Sequence, residues 1–188
     1  MIVVSDTSPI NNLAAIGQLG LLQQLYGNVI IPTAVYQELL NAGTTDPGTL
    51  AVQTLDWIQT RSVTILALLQ TLQNNLDVGE AEAIALAVEL NVDRLIIDER
   101  RGRNEAIQLG LQVSGLLGIL LAAKRQRLIP LVQPVLDDLI AQGFWIREEL
   151  YRGLTVGWRI AIAISATALA LRNSVETGLI ASRKCDLQ

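Results

Sequence analysis

The sequence predicts an α/β fold built on a parallel sheet that helices cover on both faces. Hydrophobic residues make up 51% of the chain but aromatic residues only 4%, so the interior has to be filled by valine, isoleucine, leucine and alanine. That is the composition of strands buried on both faces. Short apolar runs alternate along the chain with segments of helical periodicity. The length of 188 residues suits one domain with a substantial core.

Four runs, residues 2–5, 28–31, 94–97 and 111–113, have the length and aliphatic content of buried strands, and residues 57–63 offer another. After the first run, Ser8-Pro9 opens a helix, with the hydroxyl as cap and proline at the first helical position. Leu13, Ile16, Leu21, Leu22 and Leu25 carry this helix to Gly27, although Gly17 and Gly20 weaken its middle. Pro32 opens a second helix over residues 33–40, and Asn41-Ala42-Gly43 closes it. A loop at residues 44–48 leads into a short helix to about Leu55, and residues 66–72 form another. Asp77-Val78-Gly79-Glu80 starts a strong helix through Glu82, Ile84, Leu86 and Leu90. Residues 103–109, 116–125 and 132–141 complete the helices of a doubly wound domain.

What the chain lacks narrows its chemistry. It has no histidine, and Cys185 is its single cysteine. Ser-His-Asp and Cys-His catalysis, zinc fingers and disulfide frameworks are therefore excluded. A metal held here must be bound largely by oxygen, which favours magnesium, manganese or calcium. The amino terminus, Met1-Ile2-Val3-Val4-Ser5-Asp6, has no basic region and is broken at once by an aspartate, so it reads as a strand rather than a signal peptide. A cytoplasmic location is the expectation.

The net charge of −4 hides an uneven distribution. Residues 1–99 hold 2 basic and 11 acidic side chains, a balance of −9, whereas residues 100–188 hold 12 basic and 7 acidic ones, a balance of +5. An acidic half that binds cations joined to a basic half that binds phosphate suits a metal-dependent nuclease, although an unevenly charged solvated surface gives the same count.

In open α/β sheets, reactive groups gather at the carboxyl ends of the strands. Asp6 directly follows the first strand, and Asp98-Glu99 directly follow the run at residues 94–97. Glu38 lies about one and a half turns into the second helix, and Glu80 begins the helix that leads towards Asp98. These four acids, brought together, repel one another unless divalent cations lie between them. Two metals about 3.5–4 Å apart could then activate water and stabilise the leaving oxygen of a phosphoryl displacement. Each acid also has a plainer role open to it. Asp6 fits a helix cap, Asp77-x-x-Glu80 fits a capping box, Glu38 fits an exposed helix position and Asp98-Glu99 fit a polar loop.

Four blocks in order carry a family resemblance. Ile2-Val3-Val4-Ser5-Asp6-Thr7-Ser8-Pro9 resembles the opening of PIN-domain proteins, a strand ending in aspartate followed by threonine or serine. Val29-Ile30-Ile31-Pro32-Thr33-Ala34-Val35-Tyr36-Gln37-Glu38-Leu39 resembles their second block, and Gly79-Glu80-Ala81-Glu82-Ala83-Ile84-Ala85-Leu86-Ala87 their third. Leu95-Ile96-Ile97-Asp98-Glu99-Arg100-Arg101-Gly102-Arg103 resembles the fourth in an uncharacterised prokaryotic branch related to VapC-type toxin ribonucleases. The likeness covers residues 1–150 and leaves 151–188 as a C-terminal extension.

The resemblance implies a PIN-like three-layer sandwich with a sheet of five parallel strands. It implies a divalent-metal-dependent nuclease, with single-stranded RNA as the expected substrate and Mg2+ or Mn2+ as cofactor. Asp6, Glu38, Glu80 and Asp98 take the part of metal-binding carboxylates, and Thr7 or Ser8 that of orienting Asp6 or a metal-bound water. A homodimer is implied and, if the chain is the toxin of a toxin–antitoxin pair, a small antitoxin protein. Many members end the fourth strand with threonine or serine and place an aspartate two residues later; here Arg100 stands at the later position, which leaves Asp98 and Glu99 both open as ligand. Glu82 is a substitute for Glu80, though two residues along a helix face apart.

Arg100, Arg101 and Arg103, beside the fourth acid, are candidates to clamp a nucleic-acid backbone. Lys124, Arg125 and Arg127 instead suit the carboxyl end of a helix. Residues 160–171 are apolar or small throughout, shorter than the roughly 20 residues of a membrane span, so a buried or partner-facing segment is expected and no membrane contact. One rival reading is a PIN-fold module that binds RNA or a protein partner without cleaving. Another, a phosphoacceptor receiver domain, needs an aspartate after the third strand and a lysine after a later one, and residues 58–66 and 111–115 supply neither.

Overall fold

The computed structural model describes residues 1–155. Met1–Phe144 form one compact unit, and a second begins at Trp145. The described part of the second is helical over residues 148–155. The apolar segment at residues 160–171 lies outside the described residues.

The aliphatic runs become five parallel strands: β1 (Val3–Ser5), β2 (Val29–Pro32), β3 (Ile58–Arg61), β4 (Arg94–Ile96) and β5 (Val113–Ser114). Their order in the sheet is β3-β2-β1-β4-β5. The chain winds outwards one way from β1 through β2 to β3, then returns to β4 on the other side of β1. The switch point, where ligands bind in such folds, therefore falls between β1 and β4. Ser5 pairs with Ile96 there, so the residues that follow each strand emerge side by side.

Helices connect the strands: α1 (Thr7–Ala15), α2 (Gly20–Tyr26), α3 (Thr33–Asn41), α4 (Pro47–Thr54), α5 (Leu66–Leu72), α6 (Val78–Glu89), α7 (Arg100–Gln108), α8 (Leu116–Arg125) and α9 (Val132–Ala141). This is the α/β sandwich that the sequence predicts, with four departures. The first helix starts at Thr7 with Asp6 in the cap position, so Ser8 lies inside the helix and is not its cap. The single helix expected from Ser8 to Gly27 is two helices, because the chain turns at Gly17, whose φ of +66° breaks the helical run. The last strand begins at Val113, since the Leu111 N–H donates back to the Ala106 carbonyl of α7 at 3.0 Å. The seventh helix starts at Arg100, not at residue 103, so all three arginines lie on its first turns.

The element that most positions the site is α6. Its Ala81, Ala83, Ile84, Ala85, Leu86 and Ala87 are all buried, leaving little exposed face. A helix apolar nearly all round belongs in the interior. Its alanines let the backbone approach the sheet closely, against Val4, Ile30 and Leu95. Glu80, on the first turn of this helix, is thereby carried inside and is only 4% exposed.

Candidate active site

Asp6 leaves β1 at its carboxyl end, where its backbone N–H donates to the Ile96 carbonyl of β4 at 2.9 Å. Its side chain is 6% exposed, although it occupies the cap position of α1. The amides of Thr7 and Ser8 face it and favour its charge without closing a full cap hydrogen bond.

Glu38 approaches from α3. Thr7 Oγ1 donates a hydrogen bond to its Oε2, which ties the second acidic block to the first. Glu38 also lies against the first turn of α6, where a Cβ on Gly79 would stand 2.5 Å from Glu38 Oε1. Only glycine leaves room for the carboxylate at that backbone. In return, Glu82 on α6 accepts a hydrogen bond at 2.8 Å from the backbone N–H of Ala34, at the amino end of α3. Each helix thus places a carboxylate at the other's positive end. Glu82 is engaged there, away from Glu80.

The capping box expected at Asp77-x-x-Glu80 forms by half. Asp77 Oδ1 accepts from the Glu80 backbone N–H at 2.8 Å. The Glu80 side chain does not reach back to Asp77 but turns inward to Gly102 of α7, where a Cβ would stand 2.7 Å from Glu80 Oε1. That oxygen is buried without a hydrogen-bond partner among the described residues.

Asp98 and Glu99 part company. Asp98 Oδ1 accepts from the backbone N–H of Leu116 at 2.8 Å, at the start of α8, and is packed against Gly115. Arg103 bends towards the same place, its Nη1 donating to the Ile97 carbonyl at 3.0 Å. Glu99 is exposed at the cap of α7, with its charge acting on Glu80. Arg100 and Arg101 are exposed on the same helix. Ser8 is used within α1, where its Oγ accepts from Asn12 Nδ2 at 3.1 Å.

The electrostatics single out a pair. Burial raises Asp6 to about 7, opposed by the Thr7 amide and reinforced by the charges of Asp77 and Glu38. Burial also raises Glu80 to about 7, reinforced by Asp77, Asp6 and Glu99. Asp98 is raised too by burial, but the Leu116 amide and the Arg103 guanidinium hold it down. Asp6, Glu38, Asp77, Glu80 and Glu99 therefore share one field. Asp98 feels the Arg103 charge instead, but its Oδ2, like Glu80 Oε1, is buried without a hydrogen-bond partner among the described residues. Asp77 is the member that the sequence concealed, because a helix cap explains it completely. Its influence on both Asp6 and Glu80 is visible only in space.

A family model described as the PIN domain matches residues 2–158. The chain belongs to the PIN-domain family. Among solved structures, it is similar to a PilT N-terminus domain protein from the hyperthermophilic archaeon Sulfolobus solfataricus P2, at 23% identity over 65% of this chain and 93% of that one, with a TM-score of 0.48. No curated protein matches it.

PIN domains are generally nucleases, and they generally use divalent metal ions. The residues present fit such an ion in kind. The donors are all oxygen, Glu80 Oε1 and Asp98 Oδ2 lack partners, and burial together with neighbouring acidic charges disfavours ionised Asp6 and Glu80, which a cation would relieve. Among the described residues no three carboxylates form a ready-made cage. No helix among the described residues is long and apolar enough to cross a membrane.

Proposed function

We propose that this PIN domain is a divalent-metal-dependent nuclease that hydrolyses phosphodiester bonds in single-stranded RNA. The observation that carries the reading is the buried pair Asp6 and Glu80 at the switch point, both raised to about 7, with no basic side chain among the strongest influences on either. Such a pair is costly to bury and is relieved by a cation of charge two.

In this reading Asp6 and Glu80 hold Mg2+ or Mn2+, and Glu38, fixed by Thr7, completes the site either directly or through water. Glu99 adds its charge at Glu80, while Asp98 keeps the turn from β4 to α7 in place through Leu116. A bound divalent ion would supply charge neutralisation at the phosphate and make the attacking water easier to deprotonate. Arg100 and Arg101 are free to meet the phosphate backbone, whereas Arg103 positions the loop that carries Asp98 and Glu99. A place as toxin beside a small antitoxin belongs to the same proposal, as does a cytoplasmic site of action.

Cleavage of a labelled single-stranded RNA in Mg2+ or Mn2+ tests it. Activity should vanish in excess chelator and in Asp6→Asn, and persistence in either ends the proposal. Growth arrest on expression of the wild-type chain, absent with Asp6→Asn, is the matching outcome for a toxin. The missing three-carboxylate cage favours a second reading, a PIN-fold module that binds RNA without cutting it. Titration with Mn2+ separates the two, because the module shows no saturable metal binding.

A further inference from the structure

Beside the carboxylates, a polar cleft of about 630 Å³ opens between the turn before α6 and the outer face of α7. Asn74, Asn75, Arg101, Asn104, Glu105 and Gln108 line it. Four of these six polar residues are amides, and Leu76 completes the lining. Among the described residues, the side chains of Asn74, Asn75, Arg101, Asn104 and Gln108 have no hydrogen-bond partner, so their donors and acceptors are unspent.

The cleft and the candidate active site share two stretches of chain. Leu76, on the cleft wall, directly precedes Asp77. Arg101, at the other wall, directly precedes Gly102, which packs on the Glu80 carboxylate. From Arg101 to Gln108 the helix rises about 10 Å, so the amides lead away from the carboxylates along one track. The single arginine and the single glutamate of the lining cancel in charge. A cleft without net charge and rich in amides is poorly matched to phosphate. It is well matched to the edge of a nucleobase, which offers donors and acceptors in alternation to asparagine and glutamine.

We propose that this cleft is a base-reading subsite. It takes an unpaired nucleobase from a nucleotide flanking the scissile phosphate, with Asn104 and Gln108 on one side and Asn74 and Asn75 on the other. Arg101, at the end nearer the carboxylates, meets the adjoining phosphate. The inference rests on the nuclease reading and adds sequence or register preference to it.

The test uses the full chain and a short single-stranded oligoribonucleotide that it cleaves, together with a series of the same oligonucleotide carrying one abasic position at a time. Affinity is measured with the Asp6→Asn chain, and cleavage with the wild type. One abasic position near the cut should weaken binding about tenfold. Asn104→Ala/Gln108→Ala, in a background where both positions are solvent-facing on a helix, should weaken binding of the intact strand by a similar factor. With the abasic strand, the double variant should bind no more weakly than its parent. If wild type cleaves but every abasic strand binds alike, or if the two losses multiply, the subsite is refuted while the nuclease reading stands. If wild type cleaves no RNA, both fall together.

Discussion

Asp6 and Glu80 link the chemistry of the site to the stability of the fold. Unfolded, aspartate and glutamate ionise near pH 4, whereas in the fold both groups keep their protons to about 7. Between those values the native state binds more protons than the unfolded state, so metal-free stability falls as pH rises from about 4 to about 7 and levels off above. Melting of the metal-free protein between about pH 5 and pH 8 should show this fall. Asp6→Asn should flatten it and melt several degrees higher than wild type at the alkaline end, although it removes activity. Mn2+ should raise the wild-type Tm more at the alkaline end, where both carboxylates are free of protons. A metal-free Tm that is level or rising across this window contradicts the assignment.

Between elements, the reciprocal placement of Glu38 and Glu82 on α3 and α6 makes two separable predictions. Gly79→Ala adds a methyl where Glu38 Oε1 would be 2.5 Å away. The far end of a glutamate can swing aside, and alanine favours a helix by up to about 1 kcal/mol over glycine, so Tm should change little. Glu38 leaves its place beside Thr7, however, and Mn2+ affinity and cleavage should drop at least tenfold. Unchanged metal affinity removes Glu38 from the site. Glu82→Ala acts the other way. It takes a carboxylate from the Ala34 N–H at the start of α3, which costs about 1 kcal/mol and about 2–4 °C of Tm. Cleavage measured well below that Tm should be nearly wild type, and loss of metal binding would return Glu82 to the ligands. The half-formed capping box has the same logic: local spacing allowed Glu80 to cap its own helix, but the buried position of α6 turned its side chain inward.

For the whole molecule, the expectation is a homodimer. A mean hydropathy of +0.39 is high for a chain of this size, and Ile107, Leu109, Leu131 and Ile140 are exposed on or beside α7 and α9. Self-complementary association is the commonest way for a protein to cover such surface. Sedimentation should give a dimer for the full chain. If a chain ending at Leu150 also dimerises, the interface lies within the PIN domain, and if it is monomeric the extension supplies it. A monomeric full chain overturns the expectation.

The sequence by itself determined the class of fold, because aliphatic runs and helical periodicity are local patterns that survive without knowledge of contacts. It also determined that any metal would meet oxygen, since there is no histidine and one cysteine. Asp6 and Glu38 stood out as candidates because one directly follows a strand and the other lies in a recognisable strand–proline–helix block. Which acids share a field was decided only in three dimensions. Adjacent residues Asp98 and Glu99 look equivalent in the chain, yet one is drawn to the amino end of α8 and the other is left beside Glu80. Asp77 and Arg103 likewise took their roles from neighbours distant in sequence or across a turn. The physical reason is range. Propensity and periodicity act over a few residues, whereas burial and charge act across space, and the β1–β4 pairing together with the packing of α3, α6 and α7 brings these groups within reach of one another.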